Sequence, residues 1–269
     1  MWSEKVERWP MRVMIVKDYD EMSREAAKIM AKQMKTKPNS VLGLATGGTP
    51  VGTYRELIRM DLDFSGLTTF NLDEYYGLGP DHRQSYHHFM FDNLFNHVNM
   101  NPERVHIPDG RAKDVKAFCE KYEDEIKRAG GIDLQLLGIG RDGHIAFNEP
   151  GSSLTARTQL VALAEETIED NARFFDRKDD VPSFAISMGC GTIMEARKLL
   201  LLANGEGKAD AVAALIEGPI TSQITASVLQ MHPDATVIID EAAASKLKRR
   251  GYYKHTDRLF RDLEEKGGR

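Results

Sequence analysis

Apolar runs of four to six residues recur along the chain, and between them apolar positions fall three or four apart. The first pattern predicts buried strands and the second amphipathic helices. Arg12-Val-Met-Ile-Val16 reads as a strand. Met22, Ala26, Ile29, Met30 and Met34 then predict a helix from Asp18 to about Lys35, with Asp18 or Asp20 as its N-cap and the methionines in the core. Val41-Leu-Gly-Leu-Ala45 is a second strand, and a helix runs to about Met60 after Thr46-Gly-Gly-Thr-Pro50. Thr68-Thr-Phe-Asn-Leu72, Arg104-Val-His-Ile-Pro108 and Ile132-Asp-Leu-Gln-Leu-Leu137 are the next strands. Ser85 to Val98 reads as a helix with Phe89, Leu94 and Phe95 inward, and Asp114 to about Arg128 as a charged, solvated one. Strands follow at Gln159–Leu163, Ser183–Ser187, Leu199–Ala203 and Ala235–Ile239. Helices are expected at Glu165–Phe175, after Gly191, after Lys208, and in the charged tail from Lys246 to Arg269. Strands alternating with helices imply an α/β fold, a mostly parallel sheet with helices on both faces. With no linker, repeat or low-complexity tract, one domain over residues 1–269 is expected.

Chemistry concentrates in Gly138-Ile-Gly-Arg-Asp-Gly-His-Ile-Ala-Phe-Asn-Glu-Pro-Gly151, which follows a predicted strand. Its glycines let the backbone turn sharply and approach a ligand. Asp142, His144 and Glu149 then put one imidazole near two carboxylates, a set suited to proton transfer. Thr46-Gly-Gly-Thr-Pro50 is the second such segment: glycines free backbone N–H groups, and the following helix N-terminus favours an anion. Thr49 can cap that helix, and Pro50 suits its first turn. Asp73 and Glu74 stand at the end of the third predicted strand, where ligands sit in open α/β sheets. Backbone still extended there would point Glu74 away from Asp73. His87 and His88 lack acidic or cysteine partners at ligand spacing and are expected at the surface or in packing.

Composition changes this picture little. The 269 residues can bury a sizeable core. A net charge of −5 argues against a nucleic-acid partner, so an anionic ligand needs a local cationic cluster. The first ten residues lack the apolar core of a signal peptide, and no run approaches the length of a membrane span. Cys119 and Cys190 are expected to be reduced, buried thiols of a cytoplasmic protein.

The motif GxGxDGHIAFNEP resembles the signature of the glucosamine-6-phosphate deaminase family, and the resemblance extends from about Val41 to about Glu241. It implies a modified Rossmann-like sheet and conversion of glucosamine 6-phosphate to fructose 6-phosphate and ammonia, in the hydrolase class. By resemblance His144 shuttles the proton that opens the sugar ring, starting from the neutral imidazole. Asp142 and Glu149 orient and tune it, and Asp73 carries the enolisation. Thr46, Gly47, Gly48 and Thr49 contact phosphate and sugar, with Arg173 and Lys208 as the anion-binding cations. No cofactor and no metal is expected. The partner is a small sugar phosphate, with no nucleic acid and no membrane. The family includes monomers and hexamers, and a galacto-configured amino sugar is not distinguished.

Two alternatives share the fold. 6-Phosphogluconolactonases lack the Phe-Asn-Glu-Pro closure and carry arginine where Tyr75 stands, so Glu149 discriminates. Sugar-sensing regulator domains usually follow a DNA-binding helix-turn-helix, whereas one strand and one helix precede the glycine loop here. Many family members are activated by N-acetylglucosamine 6-phosphate, bound through serines just after the active-site loop and two basic residues beyond them. Ser152 and Ser153 match the serines, but Gln159 and Val161 stand at the basic positions. Loss of that activation is therefore expected, with Arg157 as the one nearby cation that a shifted backbone could bring in.

Overall fold

In the computed structural model, which describes residues 11–266, the strands are β1 (Arg12–Val16), β2 (Val41–Leu44), β3 (Thr68–Asn71), β4 (Asp73–Tyr75), β5 (Val105–His106), β6 (Leu134–Leu137), β7 (Gln159–Ala162), β8 (Phe184–Ser187), β9 (Leu199–Ala203) and β10 (Ala235–Asp240). The α-helices are α1 (Tyr19–Thr36), α2 (Val51–Arg59), α3 (Tyr86–Asn93), α4 (Val115–Arg128), α5 (Glu165–Ala172), α6 (Cys190–Met194), α7 (Ala209–Glu217) and α8 (Arg250–Glu265). The reading of Met1–Pro10 as no signal peptide, and the last three residues of the predicted tail helix, lie outside the described residues.

Seven strands form one parallel sheet in the order β1-β10-β9-β6-β2-β3-β5, with helices on both faces. Its strands read as continuous apolar runs because both faces are covered; all five residues of β9 are buried. The methionine stripe of α1 is core as expected, with Met22, Met30 and Met34 no more than 3% exposed. Asp18 caps the helix by accepting from the Glu21 N–H. Cys119 and Cys190 are buried free thiols.

Several expectations need correction. β4, β7 and β8 form a second, antiparallel sheet in the order β4-β8-β7. Run length cannot say which sheet a strand joins; here Leu72, between β3 and β4, links the two sheets, its N–H donating to the Leu44 carbonyl (3.1 Å) and its carbonyl accepting the Met188 N–H (2.7 Å). The helix from Ser85 breaks at Leu94, whose extended φ of −142° turns the chain into a 3₁₀ turn, so α3 is shorter than predicted. The predicted strand at Arg104–Pro108 pairs over only Val105 and His106. α4 is solvated on one face alone, since Tyr122, Glu123 and Ile126 are buried. Thr49 does not cap α2: Pro50 occupies the N-cap, and the Thr49 hydroxyl points to Asn204 Oδ1 at 3.2 Å. His87 stacks on Phe91 and His88 is exposed, as expected.

Candidate active site

The loops after β9, β6, β2 and β3 carry nearly every residue singled out in the sequence, and these four strands are neighbours in the sheet. Their carboxyl ends open into one cleft of about 860 Å³, the edge where ligands sit in such folds. Thr46, Gly47, Gly48, Thr49, Asp73, Asp142, His144, Arg173 and Lys208 all line it. Glu149 stands behind His144 instead, with Oε1 accepting the Ala164 N–H at 3.1 Å.

The central loop is folded tightly back on itself. A Cβ at Gly140 would lie 2.4 Å from Asp142 Oδ1 and 2.5 Å from the His144 ring, so only glycine admits both side chains there. The carbonyl of His144 accepts the Gly140 N–H at 2.9 Å, and Ala146 takes the left-handed conformation at φ 49°. Asn148 locks the turn: its amide donates to the carbonyls of Ile145 and Met188, and its oxygen accepts the Cys190 N–H. The Phe-Asn-Glu-Pro segment thus holds the loop against the second sheet.

This folding puts His144 Nδ1 2.9 Å from Asp142 Oδ1 and 3.3 Å from Glu149 Oε2. Nδ1 and Oε2 are both buried, and no partner besides these carboxylates faces Nδ1 among the described contacts. The contacts are therefore those of an ion pair. Burial pulls the His144 pKa down, but the two carboxylates outweigh it and raise the value to about 9. Asp142 is held below the usual carboxylate range: burial alone would raise it, and the imidazolium overcomes that. The paired carboxylates thus favour the protonated imidazole at neutral pH, against the neutral form from which ring opening was expected to start. The same three side chains bring ligand atoms within 4.8 Å of one another and could chelate a cation, in competition with the proton that the raised imidazole pKa favours.

Asp73 opens β4, 6% exposed. Burial, then the neighbouring charge of Glu74, raise its pKa to about 7, while His144 pulls the other way. A buried carboxyl poised near neutrality suits a general base. Glu74 points away, as expected, and accepts the N–H groups of Tyr75, Tyr86 and His87 at the start of α3.

Cations line the same cleft. Lys208 follows the Gly205 turn (φ 84°), which is held by the Asp240 carboxylate through the Gly205 N–H. Its pKa is lowered, by burial first, with Arg141 and Arg173 adding to that and Asp170 and Asp142 opposing it. Arg173 follows the last residue of α5 and lies over the Phe174 ring. Several cleft residues escaped the sequence reading. Arg141, inside the quoted loop, pairs with Asp170 of α5 through Nε at 2.8 Å; a lone cation beside the glycines was its only signal. Tyr86, which stacks with Phe147, and Tyr19 also line the cleft, and helical patterning marked neither.

Known proteins resemble this chain in sequence and in fold. The family model for glucosamine-6-phosphate isomerases/6-phosphogluconolactonase matches residues 17–238. A glucosamine-6-phosphate deaminase of Thermoanaerobacter pseudethanolicus is 56% identical over 239 residues, 87% of this chain and 94% of that protein. One from Clostridioides difficile is 54% identical over 246 residues, 90% of this chain and 99% of its own. The structure of a monomeric glucosamine-6-phosphate deaminase superposes with a TM-score of 0.86 at 50% identity, covering 87% of this chain and 99% of that one. The 6-phosphogluconolactonase of Trypanosoma cruzi shares the fold, with a TM-score of 0.72 at 21% identity, covering 88% of this chain and 97% of its own. On these matches the chain belongs to the glucosamine-6-phosphate isomerase/6-phosphogluconolactonase family, in its deaminase branch.

Proposed function

We propose that this protein converts glucosamine 6-phosphate to fructose 6-phosphate and ammonia. One observation carries the reading: a carboxyl poised near neutrality and an imidazolium gripped by two carboxylates share a cleft with a cationic cluster. The phosphate is assigned to Arg173, Lys208 and the Thr46–Thr49 loop. His144, whose Nδ1 faces Asp142 and Glu149, has Nε2 left for the sugar. The imidazolium gives its proton to the ring oxygen and recovers one from the anomeric hydroxyl, which opens the ring to the aldehyde. Asp73 then removes the C2 proton while His144 protonates O1, forming an enolamine. Delivery of that proton from Asp73 to C1 yields the C2 imine. Water adds at C2, the C–N bond breaks, and ammonia leaves a ketone, so the deamination is hydrolytic.

Glu149 favours this reading over a lactonase, because it sits in the Phe-Asn-Glu-Pro closure that the lactonase pattern lacks and lies 3.3 Å from His144 Nδ1. The reading entails a sugar-phosphate ligand, a cytoplasmic catabolic role and one α/β domain, and the monomeric relative favours a monomer over a hexamer. No helix among the described residues is long and apolar enough to cross a membrane. The test is ammonia release from glucosamine 6-phosphate and its galacto epimer side by side, with 6-phosphogluconolactone hydrolysis as a third arm. Deamination of the gluco substrate is expected. Lactone hydrolysis without ammonia release from either sugar would overturn the reading.

A further inference from the structure

Tyr19 has no part in the proton transfers, yet its ring lines the cleft. It is the first residue of α1, and the Asp18 cap fixes the point at which that helix starts. Its hydroxyl donates to the Gly48 carbonyl at 3.1 Å and accepts the Gly52 N–H at 2.8 Å. Gly52 lies in the first turn of α2, where amides lack intrahelical partners, so the tyrosine satisfies one orphan donor. The approach depends on the missing side chain at 52. A Cβ there would lie 2.9 Å from Tyr19 Cε1 and 2.2 Å from Ser23 Oγ.

The consequence lies in the peptide that follows Gly48. In a trans peptide the next N–H points opposite to the carbonyl. Anchoring the Gly48 carbonyl on α1 therefore turns the Thr49 N–H away from α1. The Thr49 hydroxyl is held on the Asn204 side, at the end of β9, the strand that leads to Lys208. Two adjacent glycines, Gly47 in the left-handed region at φ 89°, would otherwise leave this segment costly to order when an anion binds.

We propose that Tyr19 is a positioning residue for the phosphate: by bridging Gly48 and Gly52 it holds the Thr46–Pro50 loop with its amides set to receive a phosphate monoester. This deepens the proposed function and rests on its assignment of that loop to the phosphate. Tyr19→Phe keeps the ring and removes both hydrogen bonds, and Gly52→Ala forces Ser23 Oγ and the Tyr19 ring aside while keeping the hydroxyl. Each variant is expected to raise KM for glucosamine 6-phosphate about tenfold, with kcat within about twofold. The Kd for inorganic phosphate, measured by calorimetry, should rise in parallel. kcat/KM for unphosphorylated glucosamine should stay within about twofold, which a general loosening of the fold would not allow. An unchanged KM and phosphate Kd in Tyr19→Phe, or equal losses with both sugars, would overturn the inference while leaving the deaminase reading intact. Wild type that binds phosphate without releasing ammonia would sink the deaminase reading, and the calorimetry would still decide Tyr19. Wild type that binds no phosphate would sink this inference.

Discussion

Replacing Glu149 with glutamine tests whether two carboxylates, and not one, hold the imidazolium. The pKa of His144 is raised from 6.5 to about 9. At about 1.4 kcal/mol per pH unit, the carboxylates therefore outweigh the burial penalty by about 3 kcal/mol. Asp142 lies 2.9 Å from Nδ1 and Glu149 3.3 Å, and Coulomb attraction falls as the reciprocal of distance, so the two contribute nearly equally. Glu149→Gln removes one charge while the amide oxygen can still accept the Ala164 N–H, and the burial penalty remains in full. The pKa of His144 should fall from about 9 to about 8 or lower. In wild type, kcat/KM should rise as Asp73 ionises through about 7 and fall as His144 loses its proton through about 9. The variant should keep the acid limb and move the alkaline limb down by about one pH unit or more, narrowing the plateau. Ammonia release from about pH 6 to about pH 10 gives the profile, and NMR titration of the His144 ring gives the pKa directly. An alkaline limb that stays at about 9 in the variant would refute the shared-carboxylate account.

Asp73→Asn should cut deamination by about 10²–10⁴-fold and abolish solvent-deuterium incorporation at C1. Because burial raises the Asp73 pKa from 3.8 to about 7, its contribution to stability is complete below 3.8 and lost as pH rises through 7. The same variant should therefore be more stable than wild type at pH 8, by up to about 4 kcal/mol, with the advantage gone near pH 4; no gain in urea unfolding at pH 8 would contradict the raised pKa. Lys208→Ala and Arg173→Ala should each lower kcat/KM for the phosphorylated sugar by about ten- to a hundredfold, against little further loss with glucosamine; equal proportional losses would take them out of the phosphate site. Kinetics in glucosamine 6-phosphate should be hyperbolic and indifferent to N-acetylglucosamine 6-phosphate. Gln159 and Val161 offer no charge, and Arg157 is committed to Glu123 and Glu195, with Nη2 2.9 Å from Glu195 Oε2. A sigmoidal curve made hyperbolic by the acetylated sugar would refute this.

Local rules in the sequence were enough for the helical methionine stripe, the Asp18 cap, the apolar strands and the glycine-rich turns after them, because each depends on neighbours a few residues away. The motif from Gly138 to Gly151 likewise named His144 and its two carboxylates. Strand order lay beyond such rules, and order is what makes the site. β2, β3, β6 and β9 are spread from Val41 to Ala203, yet they lie side by side and open onto one cleft. A four-residue run such as Gln159–Ala162 carries no record of its partner, so the second sheet, and the burial it imposes on Asp73, went unread. Protonation states had the same origin. Burial and the distances to Asp142 and Glu149 set the His144 pKa, and both are products of the folded chain, so the protonated form is favoured at a histidine expected neutral. Tyr19 is the clearest case: its hydroxyl meets Gly48 and Gly52 only because α1 and α2 pack together across a position with no side chain.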